Sequence, residues 1–122
     1  MKENIITIDE NATIHEACAL MGEKHIGSIV VTRDGEPIGI FTERDFLSKV
    51  IYGEADLKTS KVGNFMSKPL ITVNARFSVR EAARIMKDMK IKRLLVVDGE
   101  KLVGIFTAAD LVDVIAETPF DF

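Results

Sequence analysis

The chain has 122 residues, 47% of them hydrophobic and 29% charged, which is long enough for a compact core and far too apolar for disorder. A formal net charge of −3 and an isoelectric point near 5.4 argue against a general nucleic-acid binder, which needs a basic face to neutralise phosphates. Cys18 is the only cysteine, so neither a disulfide framework nor a cysteine metal site is expected, and a reducing cytoplasm suits the chain.

In chain order, "MKENIITIDENAT" lacks the apolar run of a signal peptide, and no segment approaches the roughly 20 apolar residues of a membrane span. The expectation is a soluble, cytoplasmic, globular protein with neither membrane nor nucleic acid as its main partner. The apolar run "NIITI" fits a strand. "TIHEACALMGEK" places Ile14, Ala17, Cys18 and Met21 at helical spacing. "SIVVT" and "PIGIF" read as two strands joined by a turn at Asp34-Gly35, and "TERDFLSKVIYG" as a helix stopping near Gly53, a candidate C-cap. The segment 54–69 is polar at first, then carries Val62, Phe65 and Met66 at spacings that bury one short helical turn, so it reads as a packed connector.

After the connector the order returns. "LITV" is a strand, "SVREAARIMKDM" a helix with Val79, Ala82, Ala83 and Met86 on its apolar stripe, "RLLVV" and "KLVGIF" strands around Asp98-Gly99, and "TAADLVDVIAE" a helix. With an offset of 65, Ile6 meets Ile71, Thr7 meets Thr72, Glu16 meets Glu81, Ala17 meets Ala82, Met21 meets Met86, Ile26 meets Ile91 and Val31 meets Val96. This marks a duplicated unit of order β-α-β-β-α. The predicted class is α/β (α+β), with unit 1 at residues 1–53, the connector at 54–69 and unit 2 at 70–122, together one globular module.

The same offset aligns "GIFTERD", residues 39–45, with "GIFTAAD", residues 104–110. Thr42-x-x-Asp45 and Thr107-x-x-Asp110 have capping-box spacing, in which a Thr hydroxyl accepts an orphan helix amide and an acid three positions on returns the bond. Thr13-x-x-Glu16 and Ser78-x-x-Glu81 open the other two long helices with the same spacing but the usual Glu. The two Asp motifs follow Gly-Ile-Phe directly, so a strand ends, the chain turns and a helix begins, presenting free amides, a hydroxyl and a short carboxylate at one point. Capping and ligand binding are both open readings of that arrangement.

A duplicated unit carrying "hydrophobic, Gly, hydrophobic, hydrophobic, Thr, x, x, Asp" at its last strand-to-helix junction resembles the tandem CBS-domain pair, named for cystathionine β-synthase. The resemblance covers essentially the whole chain and includes "IKRLLVVDGEKLVGIFTAADL" and "NFMSKPLITV". It implies two units packed by pseudo-twofold symmetry and a homodimer formed through the last helices of the units. It also implies an adenosine-containing ligand (AMP, ADP, ATP or S-adenosylmethionine) in clefts between the copies, and a role in reporting ligand state to a regulated partner protein. The rival expectation is a ligand-free interaction or dimerisation module in which Thr-x-x-Asp is only a cap.

Carried onto this sequence, the family pattern has Asp45 and Asp110 grip the ribose hydroxyls, since an ionised carboxylate accepts hydrogen bonds on two oxygens. Thr42 and Thr107 bond ribose or phosphate. Gly39 and Gly104 permit close approach to the strand, or mark a bulge or tight packing in it. One cleft is expected to combine Thr42, Arg44 and Asp45 with Lys92 and Arg93, and the other Thr107 and Asp110 with the neutral Gly27 and Ser28. Arg44 against Ala109 suggests that the first cleft prefers phosphorylated nucleotides. Where the family often has Pro in its second strand, this chain has Val30 and Leu95.

The remaining residues point away from chemistry. His15 and His25 have no second ligand at metal spacing, and His25 suits a helix C-terminus. Cys18 reads as a core residue. No nucleophile and base are paired and no Gly-rich phosphate loop is present, so no enzymatic activity and no required cofactor are expected. The tail "ETPFDF" ends in two aromatics that suit a subunit contact or a disordered end.

Overall fold

The computed structural model describes residues 5–68 and 70–117. The chain folds as two compact units, Ile6–Leu70 and a second of residues 71–117 to which Ile5 also belongs, so the first unit starts at Ile6 and takes in the connector. Where the length suggested a single core, the described residues build two, because each copy buries its own helix stripe against its own sheet.

In the first unit, β1 (Thr7–Asp9) leads into α1 (Ile14–Lys24), then β2 (Ser28–Arg33) and β3 (Glu36–Thr42). β1 and β2 are parallel, a pairing that requires a crossover, and α1 supplies it. β2 and β3 form an antiparallel hairpin. Thr13 starts α1 as the sequence requires, its Oγ1 accepting the Glu16 amide at 3.1 Å while Glu16 accepts from the Thr13 amide. Strand alternation puts Ile29 and Val31 on the face that meets Ile14, Ala17 and Met21, and Val30, paired with Ile40, on the other. Cys18 is half-buried at the edge of this core.

The last helix of this unit is irregular. A single α-turn, α2 (Glu43–Asp45), runs on into a π-helical segment, Phe46–Ile51. The Tyr52 amide bonds the Leu47 carbonyl at 3.1 Å, one residue further back than in an α-helix. Gly53 is therefore not the left-handed cap that the sequence suggested. Glu54 takes that conformation (φ 57°), because the wider turn moves the reversal on by one residue. Gly53 meets a different need, since a Cβ there would lie 2.4 Å from the Lys49 carbonyl oxygen.

The described part of segment 54–69, residues 54–68, packs into this first unit. Val62 and Met66 are buried in its core around a 3₁₀ turn, Val62–Asn64, and Ser67 pairs with Ile40 through both backbone bonds, 2.7 and 3.2 Å. Gly39 makes room for that crossing, because a Cβ there would sit 2.6 Å from Met66 Sδ and 3.0 Å from the Ser67 carbonyl oxygen.

The second unit repeats the order with β4 (Thr72–Asn74), α3 (Val79–Met89), β5 (Arg93–Asp98), β6 (Lys101–Thr107) and α4 (Ala108–Glu117). Val73, Ala82, Met86, Leu94, Val96 and Phe106 form its core, with Phe77 edge-on to Phe106 at 5.0 Å. Both hairpins carry a bulge two residues after the start of the Gly-Ile-Phe partner: Val31 pairs with Gly39 and Val96 with Gly104, and the register then shifts. The first hairpin turns on Asp34-Gly35, both at positive φ, as a type I′ turn demands. The second turns on Gly99-Glu100, not on Asp98-Gly99, because Asp98 is still paired with Lys101 and only Gly99 has positive φ. The tail beyond Glu117, with its two aromatics, lies outside the described residues.

Candidate ligand site

Thr42 closes β3 with extended backbone (φ −120°, ψ 166°) and caps the helix that follows. Its Oγ1 accepts the Asp45 amide at 3.1 Å and donates to Asp45 Oδ2 at 3.0 Å, while the Thr42 amide donates to the same Oδ2 at 3.0 Å. The other oxygen, Oδ1, accepts from Ser67 Oγ at 2.7 Å and from Lys49 Nζ at 3.1 Å. An ionised carboxylate offers about four acceptor positions, and Asp45 has a donor on each. It is 4% exposed. Burial alone raises the pKa of a carboxyl, but the bonds from Ser67, Lys49 and Thr42 outweigh it and hold Asp45 below the ordinary value.

Lys49 does more than pair with Asp45. Its ammonium also donates to the Phe65 and Met66 carbonyls, both at 3.3 Å, and reaches Ser67 Oγ at 3.5 Å. Asp45 and Lys49, one helical turn apart, therefore fasten the segment 65–67 to the start of the helix. Sequence reasoning singled out neither Lys49 nor Ser67. An acid and a base four apart on a helix was the available signal for Lys49, whereas nothing local marks Ser67.

The second copy builds the same cap. The Thr107 amide and Oγ1 donate to Asp110 Oδ2 at 2.8 and 3.1 Å, and Thr107 Oγ1 accepts the Asp110 amide at 3.1 Å. Asp110 is less buried than Asp45. Burial pushes its carboxyl up, but the Thr107 bonds prevail and lower its pKa. The position matching Lys49 is Val114, half-buried against the second core.

Each unit brings the residues before its second strand to its own Thr-x-x-Asp. Ser28 lies opposite Thr42 across the hairpin, and the Gly27 carbonyl accepts the Glu43 amide at 3.0 Å. Arg93 lies opposite Thr107, and the Lys92 carbonyl accepts the Ala108 amide at 2.9 Å. Glu43 extends over Gly27, close enough that a Cβ there would be 2.5 Å from Glu43 Oε1, and stands beside Arg44 at the first end. Lys92 and Arg93 make the second end basic. Arg44 is exposed on the first turn after Thr42. Gly104 is buried in β6, and His25 is the exposed left-handed C-cap of α1, bonding the Gly22 and Met21 carbonyls through its amide.

A cavity of about 520 Å³ lies within the first unit between α1 and the Phe46–Ile51 segment, lined by Met21, His25, Phe41, Glu43, Phe46 and Leu47 among others. Leu47 of its lining is exposed, and elsewhere so are Ile51 and Tyr52 in the first unit and Val112 on α4 in the second. Among the described residues no group of His, Cys, Asp and Glu is arranged to hold a metal ion, and no helix is long and apolar enough to cross a membrane.

A family model described as CBS domain matches residues 1–52 and again 62–117. An uncharacterized protein of Methanocaldococcus jannaschii is 38% identical over 96% of this chain, which spans 31% of that protein's length. The CBS domain-containing protein YhcV of Bacillus subtilis is 34% identical over 91% of this chain and 79% of its own. Among solved structures, the hexameric CBS-CP12 protein from bloom-forming cyanobacteria superposes with a TM-score of 0.85 at 33% identity, covering 100% of this chain and 74% of that one. With one match on each copy of the repeat, the chain belongs to the CBS-domain family as a tandem pair of CBS units.

Proposed function

We propose that this tandem pair is a regulatory module that binds an adenosine-containing ligand, AMP, ADP, ATP or S-adenosylmethionine, and passes its ligand state to a partner protein. CBS-domain proteins are in general regulatory modules that bind adenosine ligands, which is the starting point. The observation that carries the reading in this chain is the twice-built Thr-x-x-Asp. Each copy ends a strand on a Thr, turns its Asp back over the helix start, and sets the residues before the second strand beside it. A carboxylate suits a ribose diol, and the exposed cations Arg44 and Lys92, with the half-buried Arg93, suit phosphate. Signalling then follows from linkage: a ligand shifts the module only by its differential affinity for two arrangements. The chain needs no cofactor for this and turns nothing over.

The saturation of Asp45 favours a second reading for the first copy alone. A diol that grips this carboxylate has to replace Ser67 and Lys49, so Thr42-x-x-Asp45 serves there as a cap and latch. Self-association as a homodimer rests on the exposed apolar side chains of the last helices, with Tyr52 87% and Val112 65% exposed.

The test is thermal unfolding against AMP, ADP, ATP, S-adenosylmethionine, NAD and GTP, on the wild type, Asp45→Ala and Asp110→Ala. A ligand at 100 times its Kd adds about 2.7 kcal/mol, a shift of several degrees for a domain of this size. A rise with an adenosine compound that is lost in one variant identifies the copy that binds. No rise with any compound leaves a ligand-free interaction module as the reading.

A further inference from the structure

The two copies share their core and differ systematically on the outside of one helix. At the offset of 65, His15, Ala19, Gly22, His25, Gly27 and Ser28 of the first copy become Arg80, Arg84, Lys87, Lys90, Lys92 and Arg93 in the second. Between them the core positions are unchanged, Ala17 and Ala82, Met21 and Met86, Ile26 and Ile91. Residues 76–93 hold seven cations and two acids, a net of +5 in a chain whose net charge is −3, so the remainder carries −8. The matched segment 11–28 has one Lys and two Glu, a net of −1. Fold requirements do not explain this, because the first copy builds the same helix and core without the cations.

In α3 the cations form a stripe. At 100° per residue, Arg80, Arg84 and Lys87 fall within about 60° of one another and point away from the buried Ala82 and Met86. All three are exposed, as are Lys90 at the left-handed C-cap and Lys92 beyond it. The stripe is about 10.5 Å long from Arg80 to Lys87 at 1.5 Å per residue, and Lys90 and Lys92 continue it towards the Thr107 end of the sheet.

We infer that this face of α3 docks an acidic polypeptide segment of the regulated partner. Its charge asks for an anion, and its length spans several carboxylates. Nucleic acid fits less well: the rest of the chain carries −8 and repels a long polyanion, and the stripe has no aromatic side chain on which a base can stack. The helical part of the stripe, Arg80, Arg84 and Lys87, stands apart from the ligand reading, which uses none of these residues, while the regulated partner itself rests on that reading.

The probe is a fluorescein-labelled Glu-rich peptide of about a dozen residues, long enough to span the stripe at about 3.3 Å per extended residue, followed by anisotropy. Expected are binding by the wild type that weakens from 50 to 200 mM salt, a loss of about tenfold or more in Arg84→Glu/Lys87→Glu, and a smaller loss in Arg84→Gln/Lys87→Gln. Reversal on the matched face of the first copy, Ala19→Glu/Gly22→Glu, is expected to leave binding unchanged; both positions are exposed, and a Cβ at Gly22 meets nothing within 4 Å. Equal binding by all four proteins overturns the inference. So does tighter wild-type binding to a duplex DNA of equal charge, or to phosphatidylserine vesicles, than to the peptide.

Discussion

Ser67 Oγ donates a 2.7 Å hydrogen bond to Asp45 Oδ1 across 22 residues of chain. The bond ties the segment leading out of the first unit to the carboxylate that the family pattern assigns to ribose. With Lys49 on the same oxygen, it makes Asp45 a structural latch in this state.

Removing that bond costs stability and frees an acceptor. Ser67→Ala is expected to destabilise the protein by about 1–2 kcal/mol, the range for a hydrogen bond to a charged group that is partly solvated. A lower melting midpoint checks the first effect. If Asp45 also grips a diol, the same variant binds an adenosine ligand more tightly, because a competitor for Oδ1 is gone; unchanged affinity by calorimetry would assign Asp45 to the latch alone.

The depressed carboxyls set the acid side of the stability profile. Asp45 and Asp110 both titrate below the ordinary value of 3.8 in the folded protein. The unfolded state therefore takes up protons first as pH falls, and their contribution, complete above about pH 5, is lost as pH drops through 3.8 towards the folded values. Urea unfolding between pH 2 and 7 should show stability rising with pH in that window. Asp45→Asn should flatten the rise, and a slope identical to wild type would show that other groups dominate.

Arg44 separates phosphate from ribose recognition. Arg44→Ala is expected to weaken AMP or ATP by roughly tenfold, as loss of a charge-assisted bond would, and to leave adenosine unchanged. An equal loss for all three by calorimetry would remove Arg44 from phosphate binding.

Two glycines give opposite outcomes on substitution. Gly39→Ala is expected to destabilise by about 1–3 kcal/mol, because its Cβ meets Met66 Sδ and the backbone of Ser67, which is pinned to Ile40. Gly22→Ala should stabilise by up to about 1 kcal/mol, since Gly22 is helical and its Cβ site is open. Chemical denaturation of both variants checks the pair.

The exposed apolar side chains of the last helices predict self-association. Leu47→Asp with Val112→Asp is expected to lower the mass measured by light scattering from dimer to monomer, with the melting midpoint becoming independent of protein concentration. A wild-type protein that is already monomeric at 100 µM would refute the dimer.

What the sequence by itself determined is local or periodic. The duplication, the β-α-β-β-α order, the stripe of Ile14, Ala17 and Met21, and all four caps were legible, because helix period, strand alternation and capping each depend on residues no more than four apart. The tertiary structure decided the rest. No spacing rule reports that the chain returns at residue 67 to place a hydroxyl on Asp45, or that Gly39 is small because Met66 crosses it. The slip of the second hairpin turn to Gly99-Glu100 follows from strand pairing that takes in the Asp of the Asp-Gly signal, Asp98 with Lys101. The π-helical turn at Phe46–Ile51 displaces the expected cap from Gly53 to Glu54, because its wider turn carries the reversal one residue further along the chain.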